Sequence, residues 1–77
     1  NRLGYQYLRE QKNKEAIEIF KMYVIAFPDS DNAYDCLGRA FMNDGQKEKA
    51  IESYKKSLEL NPENNNAKKK LDKLNAK

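Results

Sequence analysis

The stretch "NAYDCLGRAF", from Asn32 to Phe41, decides how this chain folds, because its pattern occurs twice. Thirty-four residues before its Leu-Gly pair, the chain reads "RLGYQY", from Arg2 to Tyr7. At that shift, residues of the same kind coincide along most of the sequence. The matched pairs are Leu3 with Leu37, Gly4 with Gly38, Tyr7 with Phe41, Ala16 with Ala50, Ile17 with Ile51, Phe20 with Tyr54 and Pro28 with Pro62. The sequence is therefore an internal repeat.

The apolar residues outside this stretch follow helical spacing. In "KEAIEIFKMYVIAF", from Lys14 to Phe27, they recur every three or four positions and predict one buried stripe on a helix. The matching segment "KEKAIESYKKSLEL" carries the same stripe. Each follows a shorter helical segment, one from Arg2 to about Glu10 and one from about Asp31 to Asn43. The repeat thus consists of two helices and a turn.

The residues between these segments predict where the helices end. Pro28 and Pro62 disfavour helical geometry in the preceding residue, so the longer helices are expected to stop at or just before Phe27 and Asn61. Gly45 suits a left-handed position after a helix. Among the residues that can cap the next helices, Asp29, Ser30 and Asp31 precede one and Asn64 precedes the other.

The last segment, "NAKKKLDKLNAK", predicts one further amphipathic helix. Ala67, Leu71 and Leu74 stand thirty-four positions after Ala33, Leu37 and Ala40, whereas Asp72 stands where the other units have glycine. We therefore predict an all-α chain of about five helices in a single domain. Its parts are a first repeat over 1–28, truncated at its start, a second over 29–62, and a capping helix over 63–77 with a more polar outer face.

The composition excludes several classes of site. Cys36 is the only cysteine and the 77 residues include no histidine, which rules out a disulfide framework, a Cys-rich zinc site and histidine-based catalysis. We predict no metal and no cofactor. The net charge of +3 belongs to the last seventeen residues, which hold five of the fifteen basic side chains against Glu63 and Asp72.

The sequence contains no apolar run near the roughly 20 residues of a membrane-spanning helix, and no secretory signal pattern. The chain begins without methionine, at a point that the repeat places inside a helix. We expect it to be a domain of a longer protein, whose compartment the sequence leaves undetermined.

The repeat resembles the tetratricopeptide family, whose 34-residue helix-turn-helix unit carries Leu-Gly, an aromatic residue three positions on, then Ala, an aromatic and Pro. The resemblance covers nearly the full chain and implies a right-handed superhelical solenoid of helix-turn-helix repeats. The core residues it implies are Leu3, Gly4, Tyr7, Ala16, Phe20 and Pro28 in the first repeat, and Tyr34, Leu37, Gly38, Phe41, Ala50, Tyr54 and Pro62 in the second. Gly4 and Gly38 are expected to face Ala16 and Ala50. Replacing core residues should unfold the domain.

The same resemblance implies a function. Members of this family form non-catalytic scaffolds that bind peptides or partner helices on a concave face lined by the first helix of each unit. The residues that would line it here are Tyr5, Arg9, Asn32, Asp35, Arg39, Met42, Asn43, Lys69 and Lys73. Arg39, Lys69 and Lys73 could together hold acidic side chains or a terminal carboxylate. A full two-carboxylate clamp is not expected, since Asn1, Tyr5 and Cys36 depart from its pattern.

Other interpretations stay open. The lysines of the last helix could simply keep a capping surface hydrated, and the chain could be an oligomerisation or docking module of a larger protein. Segments such as "AIESYKKSLELNPENNNAKKKL" resemble the C-terminal repeats of multidomain bacterial proteins, hydrolase-like ones among them. Specific nucleic-acid binding is not expected, since no aromatic or arginine side chain interleaves Lys68–Lys70. Acidic pairs such as Asp29 with Asp31 sit at caps, so we predict no enzymatic activity.

Overall fold

The computed structural model describes residues 2–10 and 12–75, apart from the side chains of Tyr5, Tyr7, Leu8 and Arg9. This part of the chain is all-helical and contains no strand. Its helices are α1 (Arg2–Arg9), α2 (Asn13–Ala26), α3 (Asp31–Asn43), α4 (Lys47–Leu60) and α5 (Asn65–Asn75). The predicted all-α class with five helices is confirmed. We call α1 with α2 the first hairpin and α3 with α4 the second hairpin.

The helix ends follow from the turn residues. Helices α2 and α4 both end two residues before a proline, where the backbone N–H groups of Phe27 and Asn61 donate to the carbonyls four residues earlier. The Ser30 hydroxyl caps α3 by accepting from the Ala33 N–H at 3.2 Å. Gly45 adopts φ 79°, the left-handed conformation predicted after α3.

The helices pack in chain order, each against the one before it. The buried side chains form a single cluster that runs through all of these contacts from α2 to α5. Its members are Ala16, Ile17, Phe20, Cys36, Leu37, Ala40, Phe41, Ala50, Tyr54, Ala67 and Leu71. Two stacked hairpins and one closing helix therefore share a continuous core, as expected for a helical repeat.

The two helical glycines lie against aromatic rings, a contact that the sequence analysis did not predict. A Cβ atom added at Gly4 would come within 2.6 Å of the Phe20 ring, and one added at Gly38 within 3.0 Å of the Tyr54 ring. Within each hairpin, the absence of a side chain on the first helix therefore makes room for a large ring from the second. Burial of these rings supplies much of the apolar area of the core.

Three residues assigned to the repeat core by resemblance are not buried. Leu3 is 49% exposed, and Pro28 and Pro62 lie on the surface. The prolines act on the backbone by ending helices, so they need no core contact. Leu3 has the same place in its hairpin as Leu37, whose helix packs against α2; among the described residues, no helix before α1 takes that position for Leu3. Tyr34 is half-buried, and the side chain of Tyr7 lies outside the described part.

Candidate functional site

A direct contact between α3 and α5 is the starting point of the candidate site. The amide of Asn66 donates to both carboxylate oxygens of Asp35, at 3.0 and 2.9 Å. This side-chain contact links the N-terminal halves of the two helices. We call the surface on either side of this contact the α3–α5 face; it carries Asp35 and Arg39 from α3, and Asn66, Lys69 and Lys73 from α5. Residues three and four apart on a helix share a side, which places these sets on one surface.

A polar network holds α5 to the second hairpin. Asp31 accepts from the amides of Asn61 and Asn64, at 3.1 and 3.3 Å. The buried Ser57 hydroxyl donates to the backbone carbonyl of Asp31 at 2.9 Å and accepts from Asn64 at the same distance. Asn64 also caps α5, since its side-chain oxygen accepts from the Ala67 N–H. Hydrogen bonds between buried or partly buried groups fix geometry, so this network sets the position of α5.

Sequence analysis identified single caps here but missed the network. The signal that could have found it is the run of asparagines in "NPENNN", next to a small residue, Ser57, on the helix before it. An asparagine amide offers two donors and an acceptor, so several in succession can join three helices.

Three cations of the α3–α5 face have no acidic partner among the residues that the structure describes. Arg39, Lys69 and Lys73 are exposed, and none of them forms an ion pair within the described residues. Asp35, the carboxylate of this face, is instead hydrogen-bonded to amides from Asn66 and Asn64. The surface therefore combines one carboxylate that is engaged in structure with three cations directed to solvent.

Below this face lies a buried hydroxyl. Tyr54 is fully buried, and its hydroxyl has no hydrogen-bond partner among the residues that the structure describes. Burial raises the pKa of Tyr54 well above its ordinary value of 10.0, with a further increase from the negative charge of Asp35 and an opposing effect from Arg39. The phenol therefore stays neutral throughout the physiological range.

The remaining residues of the predicted concave face have structural contacts or lie outside the described part. The Asn32 amide donates to the Tyr23 hydroxyl at 3.4 Å, and Met42 packs against the core. The backbone carbonyl of Asn43 accepts from Asn13. For Tyr5 and Arg9 the side chains are not described. The structure thus links α3 to α5 through Asp35 and Asn66, and the use of the cations of these helices as a site, like the contribution of α1, stays a prediction.

Two further observations concern the described part of the chain. It contains no group of three or more acidic or cysteine side chains arranged to hold a metal ion. None of its helices combines the length and the apolar character that crossing a bilayer requires.

Comparison with known proteins identifies the repeat. Tetratricopeptide repeat models match residues 2–30 and 31–64. Tetratricopeptide repeat protein 37 of Xenopus laevis is 32% identical over 62 residues, which make up 80% of this chain and 4% of that protein.

Solved structures show the same similarity. The structure of MamA 41-end from Desulfovibrio magneticus RS-1 superimposes with a TM-score of 0.90 at 34% identity, over 96% of this chain and 42% of that one. The MamA RS-1 ArsTM double mutant gives the same values. The chain thus spans less than half the length of these relatives. Matched over both hairpins and folded as an all-helical repeat, the chain belongs to the tetratricopeptide repeat family.

Proposed function

We propose that the chain is a non-catalytic protein–protein interaction scaffold whose α3–α5 face binds an acidic segment of a partner, including one that ends in a free carboxylate. Membership of the tetratricopeptide family supports the role of interaction scaffold. The observation that supports the acidic ligand is the set of three exposed cations, Arg39, Lys69 and Lys73, that lack an ion-pair partner in the described chain.

The chemistry of the ligand follows from these side chains. The guanidinium of Arg39 can bind a carboxylate through two parallel hydrogen bonds, whereas the lysines act as mobile point charges. Hydrogen bonds to charged groups contribute about 1.5–3 kcal/mol each, and solvent exposure reduces this for flexible lysines. An acidic peptide that spans the two helices would use all three cations.

The polar network supports this proposal by pre-organising the face. Asp35 is held by amides rather than by Arg39, four residues further along the same helix, so its charge is satisfied within the structure. Because α5 is tied to α3 through Asn66 and Asn64, the backbone positions that carry these cations keep a fixed relation in the free protein. Binding of the peptide then costs less conformational entropy.

An NMR titration with two matched peptides tests the proposal. One is an acidic peptide with a free C-terminal carboxylate, and the other is its amidated twin. We expect amide shifts around Arg39, Lys69 and Lys73, with weaker binding of the amidated form. Equal binding would retain the acidic face but reject recognition of the terminus. Absence of shifts at these residues with both peptides would reject the site.

Variants link the shifts to the cations. We expect Arg39→Ala and Lys73→Glu each to weaken binding by about tenfold, which corresponds to about 1.4 kcal/mol. The matched control is Lys55→Glu, an exposed charge reversal on α4. Circular dichroism should show unchanged helicity in all three, because the side chains make no core contact. If the control weakens binding as much as Lys73→Glu does, the effect is one of net charge alone.

A second candidate function, assembly through α1, is favoured by the exposure of Leu3. The equivalent residues Leu37 and Leu71 are only 7% and 8% exposed, because α2 and α4 cover them. We propose that the Leu3 side of α1 packs against a helix of the same kind as α2, from a second copy or from a neighbouring segment of the parent protein. Sedimentation of this chain should show mass that rises with concentration, and Leu3→Lys should abolish the rise. A constant monomer mass would reject self-assembly.

A further inference from the structure

The outer side of α2 carries a second surface, separate from the α3–α5 face. We call it the α2 strip; it consists of Lys14, Ile17, Lys21, Met22 and Ile25. Met22 and Ile25 are 61% and 78% exposed, although both are apolar. They lie one turn beyond Glu18 and Lys21, so they continue the same side of the helix. From Lys14 to Ile25 the strip is about 16 Å long at the helical rise per residue.

A pocket opens at the N-terminal end of the strip. Its volume is about 220 Å³, and it lies where α2, the end of α3 and the start of α4 meet. The floor is formed by Ile17 and Phe41, both almost fully buried. The ammonium of Lys49 lies 5.8 Å from the centre of the Phe41 ring, and Lys14 also lines the pocket. Three lysines and two carboxylates, Glu18 and Asp44, surround this floor, so the rim is positive on balance and favours an occupant that is both apolar and anionic.

The charges around this pocket leave two lysines available. Glu18 pairs with Lys21 at 3.7 Å, and Asp44 accepts a hydrogen bond from Gln46 at 2.7 Å. Neither Lys14 nor Lys49 forms an ion pair with a carboxylate in the part of the chain that the structure describes. A bound acidic side chain would therefore find cations that are not already neutralised.

The second hairpin shows that these features are particular to the first. At the places equivalent to Met22 and Ile25 it has Lys56 and Glu59. At the place equivalent to Lys14 it has Glu48. Since both hairpins have the same fold, the fold itself does not require apolar residues or a cation on this side of α2. Exposed apolar residues that the fold does not require are typical of interaction surfaces.

We propose that the α2 strip docks an acidic amphipathic segment of a partner protein. The segment would place an apolar side chain in the pocket over Phe41 and its acidic side chains beside Lys14 and Lys49. One or two further apolar side chains would cover Met22 and Ile25. The position on α2 makes this interaction independent of the α3–α5 face, so that one domain could hold two segments.

The test uses an acetylated, C-terminally amidated nine-residue peptide that combines Glu and Asp with Leu and Phe, together with a twin in which Lys replaces every acidic residue. We expect the acidic peptide to shift the amides of Ile17, Met22, Ile25 and Phe41, and the basic twin to leave them unchanged. Shifts that are confined to the α3–α5 face would overturn the proposal. Equal shifts from both peptides would also overturn it.

Residues found at the equivalent place of the other hairpin provide the variants. Lys14→Glu with Lys49→Glu, and separately Met22→Lys with Ile25→Glu, should each weaken peptide binding about tenfold, because one removes the charge attraction and the other the apolar contact. Each new residue already occurs at the equivalent place of the other hairpin, so helicity should not change. The control for net charge is Lys55→Glu with Lys56→Glu, which reverses two exposed charges on α4, and Arg39→Ala should leave binding at the strip intact.

Two other occupants are outcomes of the same experiment. If this chain self-associates and Ile25→Glu abolishes the association, the strip is an interface between copies and the proposal is overturned. If vesicles containing phosphatidylserine shift the strip residues while the acidic peptide does not, the surface is lipid-facing and the proposal is equally overturned. Unchanged binding in both double variants would exclude the strip as the docking surface.

Discussion

The two hairpins have nearly the same residues at their core positions, but their surroundings differ. Leu37 is buried because α2 lies beside it, whereas the equivalent Leu3 is half exposed. Phe20 and Tyr54 fill the same space against a glycine, yet only the second carries a hydroxyl. Ser57 takes part in a polar network in the second hairpin. The equivalent residue of the first hairpin is Tyr23, whose ring packs edge to face on Phe27 with 5.5 Å between the ring centres. Equivalent positions in a repeat share a fold but not an environment.

The largest effect is expected from removing the central ring of either hairpin. Phe20→Ala and Tyr54→Ala should each lower the free energy of unfolding by about 3–5 kcal/mol, which is the whole stability expected of so small a core. Urea unfolding followed by circular dichroism measures this. If one variant retained its full stability, the two rings would not be equivalent supports of the core.

The glycines allow a finer comparison. Gly4→Ala should cost about 1–2 kcal/mol, because the contact with Phe20 is too close for a Cβ atom even after the gain in helix propensity. Gly38→Ala should cost less, about 0–1 kcal/mol, because the Tyr54 ring needs to move by only a few tenths of an ångström. Thermal unfolding of both variants gives the order. A greater loss at Gly38 would contradict the packing described for α1.

The turn of the second hairpin provides a purely conformational test. Gly45→Ala should destabilise the chain by about 1 kcal/mol, since alanine disfavours positive φ. A Cβ atom at this position meets no neighbouring atom within 4 Å, so the effect is not steric. Gly45→Asn should recover part of the loss, because asparagine tolerates the left-handed region. An equal loss of stability in both variants would show that the positive φ at Gly45 is not the cause.

The smallest effect on stability is expected from the buried hydroxyl of Tyr54. Removing this hydroxyl and adding one at Phe20 should change stability in opposite directions. Tyr54→Phe should leave stability unchanged or raise it by about 1 kcal/mol, because it removes a buried group without a partner in the described chain. Phe20→Tyr should be destabilising, because it introduces such a group. Urea midpoints of the two variants test the pair, and a clear loss in Tyr54→Phe would show that the hydroxyl is satisfied.

The same variant predicts a pH effect. The raised pKa of Tyr54 means that the folded chain holds this proton more tightly than the unfolded chain. The protonated Tyr54 phenol therefore makes its full contribution to stability below pH 10.0, the pKa of the unfolded state. This contribution is lost as the pH rises above that value. Stability should fall more steeply above this pH in the natural sequence than in Tyr54→Phe. If the free energies of unfolding of the two chains changed in parallel with pH, the burial of the Tyr54 hydroxyl would be contradicted.

The helices and their limits were predictable because they depend on local properties. Periodic apolar residues, Pro28, Pro62, Gly45 and the Ser30 cap act over a few residues, and the observed helix bounds agree with the predicted ones to within one or two residues. The candidate site was less predictable. Helical spacing grouped Lys69 with Lys73, but it did not indicate that Asp35 is engaged by Asn66 or that Met42 packs inward. Those facts depend on contacts between residues that are distant in sequence.

What the sequence alone determined is the repeat: its 34-residue period, its helices, its turns and its membership of one family, since each follows from residue type and spacing. The tertiary structure decided which equivalent residues are buried, which polar groups join α3 to α5, and which cations form no ion pair within the described part of the chain. The physical reason is that burial and hydrogen bonding depend on neighbours supplied by other helices. Leu3 and Leu37 carry the same side chain in the same local pattern, and only the helix beside Leu37 distinguishes them.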